Sequence, residues 1–325
     1  MKQPSPVSQK RPAAAEAAPP ALRQAVLDGL FAQPKRLPSA YLYDARGSAL
    51  FEQICALPEY YPTRTELAIL RMHAGEMAAR IGTGAVLVEP GCGSGLKTCL
   101  LLSRMQAPCA YVPIEISATA LQASVQAVAS RCPKLAIHPL QADFTRAFAL
   151  PGALGTTRRV VFFFPGSTIG NFDPPQAQAL LARWRLLGGP EAGLLIGVDL
   201  RKDPAVLQAA YDDAQGVTAA FNLNLLARVN REFAADFDPA AFAHVARYDE
   251  ARGRIEMHLQ SRKAQTVRLD GQALRFAAGE TIHTENSYKY TPDGFAAMAR
   301  QAGWQEVARW SDDAQRFGVQ FLRAG

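Results

Sequence analysis

Three carboxylates stand where an apolar run gives way to a turn. Glu89 precedes Pro90-Gly91-Cys92-Gly93-Ser94-Gly95, Glu115 closes the run beginning at 110, and Asp143, followed by Phe144, closes the segment after 135–140. Glycines after a buried strand let the backbone turn sharply and pass close to a ligand. The spacing is Gly-x-Gly-x-Gly, and Leu96 stands where a dinucleotide fingerprint needs its last glycine. Glu115 is placed to accept both hydroxyls of a ribose. Asp143 and Phe144 offer a carboxylate and a ring to an adenine. Acids at successive strand ends, with no pyrophosphate cradle, suit S-adenosylmethionine, whose sulfonium is cationic, better than a nicotinamide dinucleotide. A second glycine-bearing loop, Gly166-Ser167-Thr168-Ile169-Gly170-Asn171-Phe172-Asp173-Pro174, follows the aromatic run 160–164. Its glycines permit close approach, and Asn171 brings a donor and an acceptor.

These residues need a sheet whose strand ends share one edge. Apolar runs at 85–89, 110–116, 135–140, 160–164 and 193–200 alternate with helical patterns at 96–105, 118–131 and 175–187. That rhythm predicts a parallel, doubly wound sheet, with ligands at the carboxyl ends of its strands. Upstream, 21–30 reads as a helix. An aromatic-rich polar segment follows, and 65–79 reads as a helix after Pro62, taken as a breaker. The rhythm stops after Asp199. Helical patterns at 204–213 and 217–233 precede alternating segments at 244–248, 254–262 and 264–269, which predict an antiparallel meander. It resumes at Thr291-Pro292, a helix start, and ends in a hairpin of 304–310 with 318–322. The expected organisation is a disordered Pro/Ala-rich tail at 1–20, an N-terminal part of a substrate domain at 21–65, a Rossmann-like domain at 66–200 and 289–325, and an inserted α+β substrate-binding domain at 201–288.

Composition removes several classes. With 325 residues, 49% hydrophobic and 20% charged, the chain is long enough for a packed core and is not disordered overall. Five scattered cysteines make neither a disulfide framework nor zinc spacing, so no metal is expected. The net charge of +6 is dispersed, which gives no footprint for nucleic acid. No apolar stretch reaches membrane-spanning length. A monomer in a reducing cytoplasm is expected. Five histidines, at 73, 138, 244, 258 and 283, show no ligand spacing.

The insertion carries Tyr211, Met257 and Thr284-Glu285-Asn286-Ser287. Taken singly, Met257 reads as core, Glu285 as a solvated charge and Tyr211 as a helix residue under a loop. The longer blocks say more. YDARGSALFEQICALPEYYPTRTE, VEPGCGSGLKT, GSTIGNFDP, DLRKDPAVLQAAYDDAQGVTAAFN, NREFAADFD, RIEMHL and TENSYKY make the chain, from about residue 21 onward, resemble the L-histidine Nα-methyltransferases of ergothioneine biosynthesis. The resemblance implies a class I S-adenosylmethionine-dependent methyltransferase fold. It also implies three methyl transfers to the α-amine of L-histidine, giving hercynine and S-adenosylhomocysteine. By position it assigns Gly91, Gly93, Lys97, Glu115, Asp143 and Phe144 to the cofactor, with Glu115 where the family often has Asp. It assigns Tyr43, Tyr60, Gly166, Asn171, Tyr211, Met257, Glu285 and Ser287 to the histidine site.

That set has a physical logic. Tyr60, Asn171 and Tyr211 can bind a carboxylate through neutral hydrogen bonds, and Tyr43 lies near the amine. Glu285 and Ser287 can satisfy the imidazole nitrogens, Glu285 favouring an N–H or a cationic ring, with Met257 on the ring face. The amine must lose its proton to attack, and no strong general base is evident. Water is the expected acceptor, assisted by Tyr43 or Asn171, with alignment supplying most of the catalysis. The rivals are methylation of another amino acid such as tryptophan or of a small amine, methylation of RNA or protein, and a non-catalytic cofactor-binding protein.

Overall fold

A computed structural model of the chain describes residues 20–152 and 158–325. The expectation of disorder over 1–20 therefore lies outside the described residues, Pro20 apart, which opens helix Pro20–Phe31.

Runs of β-branched and aromatic residues with no polar face can only be strands covered on both sides. Val86–Pro90, Val160–Phe164 and Gly193–Asp199 are buried at every position. They pair in parallel with one another and with Ala110–Glu115. The expected third strand is broken into Ala136–Ile137 and Leu140–Gln141, both parallel to Ala110–Glu115. Counted in chain order, these strands lie 3-2-1-4-5 across the sheet, the doubly wound arrangement. The closing hairpin, Trp304–Ser311 and Phe317–Ala324, adds to the other edge, with Phe317–Ala324 antiparallel to Gly193–Asp199. Helices cover both faces, and each face has its own apolar core.

A third core unites the N-terminal segment with the insertion. Val26, Leu30, Tyr41, Ile54 and Tyr60 share it with Leu207, Phe221, Leu225, Met257 and Ile282. Strand Lys35–Arg36 pairs with Thr281–Tyr288, which pairs with Arg254–Ser261 and through it with Phe242–Asp249. The expected meander is corrected here. Its third segment, Gln265–Leu269, leaves that sheet and forms a hairpin with Gln272–Phe276, and Thr281–Tyr288 takes its place.

Two helix boundaries also differ from expectation. Pro62 breaks nothing: it lies in the first turn of Tyr61–Ile81, where a proline needs no N–H partner. The polar segment before it contains an unexpected helix, Ala45–Ala56. Asp44 caps it by accepting from Gly47 N at 2.7 Å, and also accepts from Asn224 and Arg231 of helix Val217–Phe233.

Strand Gly193–Asp199 carries one glycine fixed by a neighbour. A Cβ on Gly197 would stand 2.0 Å from Oε1 of the buried Glu66. Overpacking of this kind costs about 1–3 kcal/mol. Gly197→Ala should lower the midpoint of urea denaturation accordingly; an unchanged midpoint would show that Glu66 can move aside.

Candidate active site

The glycine turn is built for close approach. Gly91, Gly93 and Gly95 have φ of +70°, +50° and +72°, the left-handed region that favours glycine. A Cβ on Gly91 would meet the Phe144 ring at 3.4 Å. Phe144 in turn packs edge-on against Phe164 and Phe172. Glu89 does not face this turn as a free acid. Its Oε2 accepts from Thr98 at 2.6 Å and Tyr111 at 2.5 Å, and burial pushes it up to about 7. It ties the strand to the helix Leu96–Leu102.

Glu115 uses only Oε1 on the protein, accepting from Ile116 N at 2.8 Å and Ser117 N at 3.3 Å. Oε2 has no protein partner among the described residues, and burial raises the acid above its ordinary value. Asp143 Oδ1 accepts from Thr145 N and Oγ1, and its Oδ2 lies 3.4 Å from Arg146. Lys97 pairs with Glu66 at 2.5 Å, and Glu66 also accepts from Gly166 N at 2.8 Å. The Gly166 amide is therefore spent on Glu66, and Glu66 joins the cofactor turn to the second loop.

That loop is strained at its start: Gly166 has φ +81° and Ser167 +57°. It then closes as the short helix Thr168–Asn171. Gly170 lies against strand Thr281–Tyr288, where a Cβ would be 2.8 Å from the Tyr288 carbonyl oxygen. The sheet edge and the second lobe meet here. The side chain of Asn171 makes no hydrogen bond among the described residues.

On the lobe, Tyr43, Tyr60, Tyr211, Met257 and Glu285 converge on one cavity, together with Phe51, Ile54, Ala210, Thr218 and Phe221. Tyr43 lies edge-on to Phe51 and Phe221, and Tyr60 to Phe51 and Tyr211. Burial raises the Tyr43 and Tyr60 hydroxyls well above the ordinary tyrosine range, so both stay protonated. Gly166, Asn171 and Ser287 do not line the cavity. Ser287 lies behind Tyr211, whose hydroxyl donates to Ser287 Oγ at 2.7 Å.

A bulge puts Glu285 inside. The register of Thr281–Tyr288 against Arg254–Ser261 shifts between His283 and Glu285, leaving Thr284 as the extra residue. Thr284 Oγ1 donates to the Met257 carbonyl at 3.0 Å. Beyond the bulge Glu285, Ser287 and Lys289 point inward, all buried. The reading of Glu285 as a solvated charge is thus corrected. Burial pushes its carboxyl up to about 7, although Lys289 pulls the other way.

Three further residues escape a reading by motif. Glu66 joins the two loops. Asp199, at the end of Gly193–Asp199, accepts from Tyr61 OH at 2.8 Å, Lys202 Nζ at 2.6 Å and Lys289 Nζ at 2.8 Å. Lys289 also donates to Tyr211 OH at 3.0 Å and Ser287 Oγ at 2.8 Å. The period of two along 285, 287 and 289 is the one sequence signal that could have found it.

A doubly wound sheet with a glycine turn, acids at its strand ends and an acceptor cavity on an added lobe defines a class I S-adenosylmethionine-dependent methyltransferase. The chain belongs to the family described as histidine-specific methyltransferase, SAM-dependent, which it matches over residues 22–324. It is 44% identical to the histidine N-alpha-methyltransferase of Mycolicibacterium smegmatis, covering 94% of this chain and 96% of that one. The histidine N-alpha-methyltransferase of Mycobacterium tuberculosis is 42% identical, over 92% and 94%. The ergothioneine biosynthesis protein 1 of Neurospora crassa is 31% identical over 86% of this chain and 32% of its own length.

The buried Glu285 has a measurable consequence. Its folded carboxyl titrates near 7 and the unfolded one near about 4.3. Stability from the protonated form is therefore full below pH ~4.3 and is lost as pH rises through about 7. Glu285→Gln has nothing to lose. Urea denaturation should find it more stable than the native chain above pH ~7, by up to about 4 kcal/mol, with the gap closing toward pH ~4. A gap independent of pH would place the Glu285 carboxyl in water.

Proposed function

We propose that this protein carries three methyl groups in turn to the α-nitrogen of L-histidine, forming hercynine on the route to ergothioneine. The observation that carries this reading is the convergence of Tyr43, Tyr60, Tyr211, Met257 and Glu285 on one cavity of the lobe. The names of the relatives support the nitrogen and the pathway.

The residues present fit the cofactor. The left-handed glycines leave space beside Phe144, Glu115 has a free oxygen for ribose hydroxyls, and Asp143 stands beside the ring. Lys97 keeps donors beyond its bond to Glu66 for the methionyl carboxylate. When bound, S-adenosylmethionine supplies a methyl carbon that the amine lone pair attacks in line, and the carbon–sulfur bond breaks with its electrons going to sulfur.

The chain's part is to hold the amine. Tyr60 and Asn171 donate to the substrate carboxylate. Tyr211 keeps its proton on Ser287 and lies against them as part of the cavity wall. Glu285 takes the imidazole from the cavity wall with Met257 on its face, and Ser287, next on the same strand face and behind Tyr211, meets the ring's other nitrogen from beyond that wall. Tyr43 remains a phenol and so orients the amine without removing its proton, which leaves to water. Neutral contacts let the amine turn between transfers. All five cysteines are unpaired, which supports a reducing cytoplasm.

Mass spectrometry of histidine incubated with the enzyme and S-adenosylmethionine should find three added methyl groups, all on the α-nitrogen. Methyl groups on the ring, or none, would overturn the assignment. Glu285→Ala should lower kcat/KM for histidine by about 10–100-fold, the worth of a hydrogen bond to a charged group. It should also narrow the margin over tryptophan; intact histidine turnover would remove Glu285 from recognition. Tyr43→Phe should lower kcat about tenfold with little change in KM. An unchanged rate would remove Tyr43 from the mechanism.

A further inference from the structure

The Lys289 ammonium is fully enclosed and has three N–H donors. All three are used: on Asp199 Oδ2, on Tyr211 OH and on Ser287 Oγ. The Tyr211 hydroxyl, having accepted from Lys289, gives its own proton to Ser287 Oγ. Ser287 Oγ thus accepts twice, and a hydroxyl oxygen has two acceptor positions. Its own hydrogen meets no acceptor among the described residues. Ser287 can therefore offer a ligand a donor and nothing else. Two residues earlier on the same strand face, Glu285 makes no hydrogen bond among the described residues, and its carboxylate is an acceptor.

We propose that Lys289 is a positioning residue that fixes the polarity of Ser287, so that the site takes the neutral imidazole of its substrate and rejects the imidazolium. This rests on the reading that Glu285 and Ser287 hold the imidazole. A neutral ring has one N–H, which Glu285 accepts, and one lone pair, which Ser287 fills. An imidazolium has two N–H groups, and the second would point at an oxygen with no lone pair to give. It would also bring a cation toward the Lys289 ammonium, itself 2.8 Å from Ser287 Oγ. The site could instead have paired the carboxylate of Glu285 with a charged ring; the lysine behind Ser287 removes that choice.

The test compares histidine with 2-fluorohistidine, whose ring stays neutral between pH 5.5 and 8. Binding of each is measured by calorimetry in the presence of S-adenosylhomocysteine. The titratable groups facing the ring site are Glu285 and Lys289 on its own strand, Tyr211, Tyr43 and Tyr60 on the opposite wall, and Asp199 behind Lys289. Cys55 and Glu115 lie farther off. All act on both ligands alike, so they cancel in the ratio of dissociation constants.

About a tenth of histidine rings are neutral at pH 5.5. The ratio of the histidine Kd to the 2-fluorohistidine Kd should therefore be about tenfold higher at pH 5.5 than at pH 8. In Lys289→Met, Ser287 regains a lone pair and the ratio should lose this dependence on pH. Ser287→Ala, which removes the donor but keeps the Lys289 charge, should reduce it, and serves if Lys289→Met fails to fold. A ratio that stays constant in the native enzyme, or a tenfold change that survives in the variants, would overturn the proposal. Failure of histidine to bind at pH 8 would instead sink the reading of the site itself.

Discussion

A buried carboxylate holds the two halves of this enzyme together. Asp199 ends the central strand Gly193–Asp199 and is fully enclosed. Burial alone would raise its pKa, yet Lys289 and Lys202 outweigh that and hold it below its ordinary value. Lys289 is raised in turn, Asp199 overcoming its burial. Tyr61 donates to the same carboxylate from the start of its helix, and Ser167 accepts from the Asp199 backbone. One acid thus fastens the N-terminal segment, the loop 166–171 and the end of the strand Thr281–Tyr288 to the sheet. Removing one partner of a buried pair leaves the other uncompensated, at about 3–5 kcal/mol. Everything on the substrate side is positioned through this point.

The two buried acids near 7 have different meanings. Glu89 has two hydroxyl donors and supports the glycine turn from behind. Glu285 has none among the described residues, and faces an aromatic cavity. An acid in that position costs stability unless a ligand brings it a partner. In the function proposed above, an imidazole N–H would be that partner. Ser287, next on the same face, has the opposite requirement, because Lys289 and Tyr211 have filled its lone pairs. One acceptor beside one donor is the pattern of a neutral imidazole.

Alignment does the rest. The glycine turn and the loop 166–171 sit on one sheet edge, and Glu66 joins them by accepting from Lys97 and Gly166. Gly170 lets the loop lie against the strand that carries Glu285. A shift of that strand would therefore be felt at both loops. This is what a methyl transfer needs, since its acceleration comes mainly from holding two small molecules in line.

Local physics wrote much of this into the chain. Val160–Phe164 and Gly193–Asp199 have no polar face, so they could only be buried strands, and the glycines after Val86–Pro90 could only be a turn. Period alone could not find the helix Ala45–Ala56, because its cap and its packing depend on helix Val217–Phe233, far along the chain. Nor could it find the inward turn of Glu285, since one extra residue in a strand exchanges its faces and leaves no mark in composition. The partnership of Asp199, Lys289, Tyr211 and Ser287 joins residues from separate elements. The sequence by itself determined the sheet, its ligand edge and the family of chemistry. Only the tertiary structure decided which polar atoms are spent on one another and which are left for a substrate, because hydrogen-bond partners are assigned by proximity in space.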